Sequence, residues 1–302
     1  MQNNYTEQQL KAIEEQDQAL DELLALIKKG ETSLKVAGVA GTGKTQLVIK
    51  LLQRLSCLYG KQEFACAAVS HNAKNIVAIR AGSSGVKVKA YTLASLLGMN
   101  QLISDEGVIT FVPKKKEFSH FDKVAIGYQD VIIIDECSQV STTLMEKINS
   151  LRKPGSIVIY LGDWHQNRPI DSKEDSPTFK LPGVSLVIPF RYEGDIQLLS
   201  EAIAEKIDDS KVINLKQGLD FLIPFIKESN KDYTFMRDKN EFKNKYLNEL
   251  KQGDIGHCML TTYRKDSMTE YNAELRALYT GGRRERFYVG EIILCKRGNK
   301  LN

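Results

Sequence analysis

Gly38-Val39-Ala40-Gly41-Thr42-Gly43-Lys44-Thr45 reads G-x-x-x-x-G-K-[ST], with an apolar run before it and an amphipathic, helix-forming run after it. The chemistry needs those residue types in that order. Glycines let the backbone N–H groups wrap around phosphate oxygens, and the start of a helix adds positive potential. Lys44 is placed to reach β- and γ-phosphates, and the Thr45 hydroxyl to ligate magnesium. A glycine-rich turn alone is common, but the full motif between a strand and a helix is not.

Outward from this stretch, strands and helices alternate. Leu10, Ile13, Leu20, Leu23, Leu24 and Ile27 recur at helical spacing, which predicts a helix over about residues 7–29, closed by Gly30. Short apolar runs at 34–40, 64–70, 131–135, 157–161 and 185–188 read as strands buried on both faces. The alternation predicts an α/β fold, a parallel sheet with helices on both faces. Residues from about 97 to 127 break the rhythm, with a Lys114-Lys115-Lys116 run and several phenylalanines, and read as an insertion. Beyond Gly194 the pattern changes to a helix-rich stretch up to Lys251. A strand follows at 257–262, then a helix capped by Asp266 or Ser267 and ending near Gly281, then a strand at 287–295. We read 1–193 as a first, nucleotide-binding domain and 194–302 as the beginning of a second.

Composition sets bounds. The 302 residues are 42% hydrophobic and 26% charged, an ordinary globular balance with room for two cores. No apolar run is long enough to span a bilayer, and the first residues form no secretory segment. The five cysteines are scattered, odd in number and without a C-x-x-C pair, which points to reduced thiols in a cytoplasmic protein and no structural metal. A net charge of +4 permits a nucleic-acid partner without arguing for one.

A phosphate loop that hydrolyses its ligand needs acids nearby. Val131-Ile132-Ile133-Ile134-Asp135-Glu136 supplies two, at the end of a buried strand, where open α/β sheets bind ligands. Asp135 is placed to hold magnesium through water and Glu136 to activate the attacking water. A strand ending in a solvated acidic turn is the plainer reading, which the phosphate loop disfavours.

These residues, taken in order, resemble superfamily 1 helicases, most closely the Dda-like and RecD-like group that moves 5′ to 3′ on single-stranded DNA. Tyr5 to Ile13 resembles the Q motif, whose glutamine reads the adenine edge; Gln9 is the better match, with Gln8 beside it. Val69 to Lys74 resembles motif Ia and Ala90 to Leu96 the next DNA-contacting motif. Gly162-Asp163-Trp164-His165-Gln166 resembles motif III, in which Gln166 senses the γ-phosphate. Phe190-Arg191 resembles motif IV, with Arg191 on the γ-phosphate and Phe190 stacked on adenine. Thr261-Thr262-Tyr263-Arg264, then Tyr271-Asn272 and Leu275-Arg276, then the 287–294 strand, resemble the start of that group's second domain. Each short motif is weak; their order and spacing are specific. The resemblance implies a P-loop NTPase with a RecA-like sheet and the beginning of a second RecA-like domain. It further implies ATP and Mg2+ as cofactors, with Gly41, Thr42, Gly43, Lys44 and Thr45 on the phosphates, and a bacterial or phage-infected cell.

Single-stranded DNA is the partner so implied, contacted by Ser70, His71, Lys74, Tyr91, Thr92, Trp164, Thr262 and Arg264, with replication or recombination proteins as further partners and no membrane. Ser70, His71 and Lys74 lie between a strand and a helix start, where hydroxyls and N–H groups take phosphates or simply cap the helix. Trp164 either stacks on a base, worth about 1–3 kcal/mol, or packs in the interior. The Lys114–Lys116 run with Phe111, Phe118 and Phe121 is either a strand-separating hairpin or a solvated turn. Motif III departs from the usual Q-L-P-P-V, continuing as Asn167-Arg168-Pro169-Ile170. The chain stops at Asn302, before motifs V and VI would occur, which suggests an N-terminal fragment with weak or no motor activity. Two other classes stay open: a nucleotide- and DNA-binding module without motor activity, and a P-loop switch or kinase. Glu136, Gln166 and Arg191 at helicase spacing argue against the last.

Overall fold

The structure is a computed structural model that describes residues 5–60, 62–68, 73–103, 109–113, 124–166, 168–169, 172, 174–191, 194–208, 238–251 and 265–281. The chain divides into two compact units, Met1–Ile223 and Pro224–Asn302.

In the first unit, six parallel strands form one sheet. They are β1 (Ser33–Gly38), β2 (Phe64–Ala68), β3 (Val88–Thr92), β6 (Val131–Asp135), β7 (Ile157–Gly162) and β8 (Gly183–Leu186), in the order β3-β2-β6-β7-β1-β8. Helix α1 (Glu7–Lys28) precedes β1, and α2 (Lys44–Tyr59) follows it. Helices α3 (Ala73–Ser83), α4 (Leu93–Leu96), α5 (Thr142–Leu151) and α6 (Asp195–Asp208) complete the unit. Successive strand residues point to opposite faces, so the central strands β2, β6 and β7 feed two cores. Ile133, Ile159 and Cys66 join Leu23, Leu47 and Leu51 of α1 and α2 on one face. Ile132, Ile134, Val158 and Tyr160 join Leu93, Leu96 and Ile148 of α4 and α5 on the other. The parallel sheet covered by helices is the architecture expected from the alternating pattern.

Local chemistry sets the element ends. Helix α1 opens with a capping box: Gln9 N–H donates to Thr6 Oγ1 at 3.3 Å, and Thr6 N–H donates to Gln9 Oε1 at 3.1 Å. Strand β1 stops at Gly38 rather than at residue 40. Residues 39–43 already curve around the phosphate site, and a Cβ on Gly38 would lie 2.5 Å from the Leu186 carbonyl oxygen. Strand β8 pairs at 183–186 and not at the expected 185–188. The N–H groups of Val187 and Ile188 leave the ladder and donate instead to the two Glu15 carboxylate oxygens, at 2.9 and 3.1 Å.

Three strands were not legible in the sequence. Edge strand β3 is short, polar and only partly buried. In the expected insertion, β4 (Met99–Ile103) and β5 (Ile109–Pro113) pair as an antiparallel hairpin separate from the main sheet. Lys114–Lys116, Phe118 and Phe121 lie outside the described residues.

In the second unit, α7 (Lys239–Lys251) and α8 (Lys265–Thr280) pack against each other, and Leu247 and Leu275 are buried. Lys243 pairs with Glu274 and sits 5.4 Å over the Tyr271 ring. Helix α8 ends where expected, at Gly281 with a φ of 62°. The strands expected at 257–262 and 287–295 lie outside the described residues.

Candidate nucleotide site

The register of the sheet brings the motifs together. Ala37 pairs with Gly162, and Ile134 with Tyr160. The carboxyl ends of β1, β7 and β6 therefore sit at one sheet edge, carrying the Gly38–Thr45 loop, Asp163, and Asp135 with Glu136. Strand β7 stands between the loop strand and the strand of the two carboxylates, leaving a crevice above its end.

The loop is shaped by left-handed glycines, Gly41 with a φ of 85° and Gly43 with a φ of 90°. Thr42 is fully buried, and its hydroxyl donates to the Val39 carbonyl at 3.0 Å. Lys44 Nζ donates to the carbonyls of Gly38 at 2.7 Å and Val39 at 3.0 Å, folded back over the concave side of the loop. Burial holds its ammonium below the ordinary lysine range, against the pull of Asp163, Asp135 and Glu136. An anionic ligand in the loop would relieve that cost. Thr45 is the second residue of α2, after Lys44.

Across the crevice, burial pushes the Asp135 carboxyl up, opposed by the Glu136 N–H, which donates to Asp135 Oδ1 at 2.9 Å, and by Lys44. Glu136 has a φ of 56° and a ψ of 45°, the left-handed region; among the described residues it is the one non-glycine with positive φ. A bulky residue adopts that conformation at a cost of about 1–3 kcal/mol, which the surrounding structure must overcome. Its carboxyl is also pushed up, by burial first and then by the Asp135 charge. Cys137 behind it is buried, with its thiol pushed up to about 12, which keeps it neutral and inert.

The segment after β8 closes on the loop. Phe190 N–H donates to the Gly41 carbonyl at 2.9 Å, and the Phe190 ring meets Tyr5 edge-on at 6.0 Å. Gln8 Nε2 donates to the Pro189 carbonyl at 2.9 Å and to Gln197 at 3.1 Å. Gln9 is engaged through its side-chain oxygen in the capping box, with its amino group outside that pair. Arg191 follows Phe190 and is exposed. After β7, Gln166 is exposed and its backbone N–H donates to the Asp163 carbonyl at 3.2 Å.

The residues expected on DNA are more scattered. Tyr91 is half-buried against the second core. Thr92 is buried, and its hydroxyl caps α4 by accepting the Ser95 N–H at 3.2 Å. Trp164 is half-buried beside His165. Lys74 is the second residue of α3, while Ser70, His71, Thr262 and Arg264 lie outside the described residues.

Two site residues escaped the sequence reading. Gln16 is buried, and its Nε2 donates to the Thr42 carbonyl at 3.1 Å, so α1 holds the phosphate loop directly. Glu15 beside it holds the 187–188 backbone. The signal was available for Gln16, a polar residue among Ala12, Ala19, Leu20 and Leu23 at core spacing on α1. Glu15 left no such signal. Among the described residues no helix is long and apolar enough to cross a membrane.

The chain is 28% identical over 170 residues to the ATP-dependent DNA helicase RRM3 of Saccharomyces cerevisiae, covering 53% of this chain and 21% of that protein. It is 29% identical over 163 residues to the ATP-dependent DNA helicase dda of Enterobacteria phage T4, covering 54% and 34%. It is 30% identical over 152 residues to RecBCD enzyme subunit RecD of Buchnera aphidicola, covering 50% and 20%. The chain thus spans between 20% and 34% of the length of these relatives. A Bacteroides Pif1 structure bound to ssDNA aligns with a TM-score of 0.46 and 19% identity, over 77% of this chain and 55% of that one. The AAA domain family matches residues 11–177, more than half of the chain and the whole stretch from α1 through the phosphate loop, Asp135, Glu136 and Gln166, and the chain belongs to that family.

Proposed function

We propose that this chain is the ATP-binding part of an ATP-dependent DNA helicase or translocase, with hydrolysis coupled to 5′-to-3′ movement on single-stranded DNA. The observation that carries the reading is the convergence at one sheet edge of a phosphate loop, its lysine, and a carboxylate pair whose second member is held in a strained backbone conformation. In this reading Gly41, Thr42, Gly43 and Lys44 bind the phosphates, and Glu136 activates water. Gln166 and Arg191 meet the γ-phosphate, and Gln9 and Phe190 meet the adenine.

Thr45 and Asp135 suit Mg2+, since a hydroxyl and a carboxylate are hard oxygen donors. The described residues hold no group of three or more His, Cys, Asp or Glu able to bind a metal alone. A cation here would need phosphate oxygens to complete its shell, as Mg2+ sites commonly do. Bound there, it would neutralise phosphate charge.

For DNA we propose contacts from Ser70, His71, Lys74, Tyr91, Trp164, Thr262 and Arg264, with Thr92 capping α4, within a first domain at 1–193 and a second at 194–302, in a cytoplasmic protein. The test is ATP turnover with and without single-stranded DNA. Stimulation by DNA supports the motor. ATP binding with no stimulated turnover supports a binding module instead, and turnover indifferent to DNA would remove DNA from the reading.

A further inference from the structure

Trp164 is the one tryptophan of the chain, and its indole N–H donates to His165 Nε2 at 3.0 Å. An indole only donates, so Nε2 is the accepting nitrogen, and the neutral imidazole carries its proton on Nδ1. That Nδ1 lies 3.5 Å from Asp163 Oδ1, and the same oxygen accepts the His165 backbone N–H at 3.0 Å. The His165 ring is thus bonded to the indole on one side, and on the other its Nδ1 approaches a buried carboxylate at 3.5 Å. Asp163 faces the phosphate site: its charge pulls on Lys44 and pushes on Glu136.

We propose that His165 is a positioning residue that fixes the Trp164 indole and, through Asp163, couples its placement to the charge on the phosphate loop. The proposal rests on the reading of Lys44 as a phosphate ligand. When phosphate oxygens engage Lys44, Asp163 loses part of its countercharge, and its attraction for the His165 Nδ1–H strengthens. The imidazole then shifts toward Asp163, and the indole bonded to its far nitrogen shifts with it. Trp164 is half-buried, so part of its ring remains open. Its orientation becomes a readout of nucleotide occupancy.

A single tryptophan makes the test direct, because intrinsic emission reports this site alone. Emission and acrylamide quenching are measured on the full chain with no nucleotide and with saturating ATP and Mg2+. The parent is compared with His165→Ala and His165→Gln, and Trp164→Phe serves as the emission blank. ATP affinity is measured separately by calorimetry. The expected result has three parts. ATP shifts the parent's emission. His165→Ala raises quenching without nucleotide and loses the ATP-dependent shift, at an ATP affinity within about twofold of the parent. His165→Gln, whose side-chain carbonyl can accept the indole N–H, recovers part of both. A merely structural role for His165 would lower stability and leave the shift intact. The proposal is overturned if His165→Ala keeps the parent's shift, if its quenching matches the parent's, or if the parent binds ATP with no change in emission. Absence of ATP binding by the parent would instead overturn the nucleotide reading itself, and calorimetry distinguishes that case.

Discussion

Replacing Gln16 by methionine tests how far the phosphate loop depends on helix α1. Gln16 is 3% exposed, and the Thr42 carbonyl it meets at 3.1 Å belongs to a residue with no exposure at all. Methionine keeps nearly the same volume and supplies no N–H. The buried carbonyl then loses its donor, a loss that costs about 1–3 kcal/mol. Alanine at the same position removes packing as well, at about 0.8 kcal/mol for each buried methylene, so it should be the worse variant by roughly 1–2 kcal/mol. The loop should also lose its preset curvature. If about 1.4 kcal/mol of that loss falls on the bound state, ATP affinity drops about tenfold. Urea denaturation reads the first effect and calorimetry the second. Should Gln16→Met stay within about 0.5 kcal/mol and twofold of the parent on both, the helix-to-loop bond has no energetic role and the reasoning fails.

Three further outcomes follow from the same geometry. Lys44→Ala should abolish ATP binding in calorimetry, since the phosphate charge loses its partner; unchanged affinity would sink the site. Glu136→Gln should keep ATP affinity and slow turnover by about 10²–10⁴-fold, the usual worth of a positioned base, with turnover within twofold of the parent removing Glu136 from the mechanism. Asp135→Asn should stabilise the fold while abolishing turnover. The sign follows from the raised carboxyl: between the ordinary value of 3.8 and its raised value, the folded chain binds more protons than the unfolded one, so stability falls as pH rises through that window. The variant lacks that loss, and its advantage over the parent should widen from pH 4 to pH 8; a variant less stable than the parent at pH 8 contradicts this.

The phosphate loop, the Asp135-Glu136 pair and the alternation of strands and helices were legible because each depends on neighbours along the chain. A motif of eight residues specifies its own turn, and an apolar run of five specifies a buried strand. Helix α1 was legible for the same reason, in its spacing and in its Gly30 end. What stayed hidden depends on pairing across long separations. Strand β8 sits at 183–186 because Glu15, over 170 residues earlier, takes the Val187 and Ile188 N–H groups that a longer strand would have used. Sequence spacing placed neither Gln16 under the loop nor Phe190 against Gly41, because both contacts form only after the sheet has assembled. Likewise, Thr92 reads as a polar residue in a contact motif, and only the fold makes it a buried helix cap. The sequence by itself determined which chemistry the chain carries, since residue types and local spacing set the donors, acids and turns. Tertiary structure alone decided which distant side chains hold that chemistry in place, because the strand order of a parallel sheet brings together segments that the chain keeps far apart.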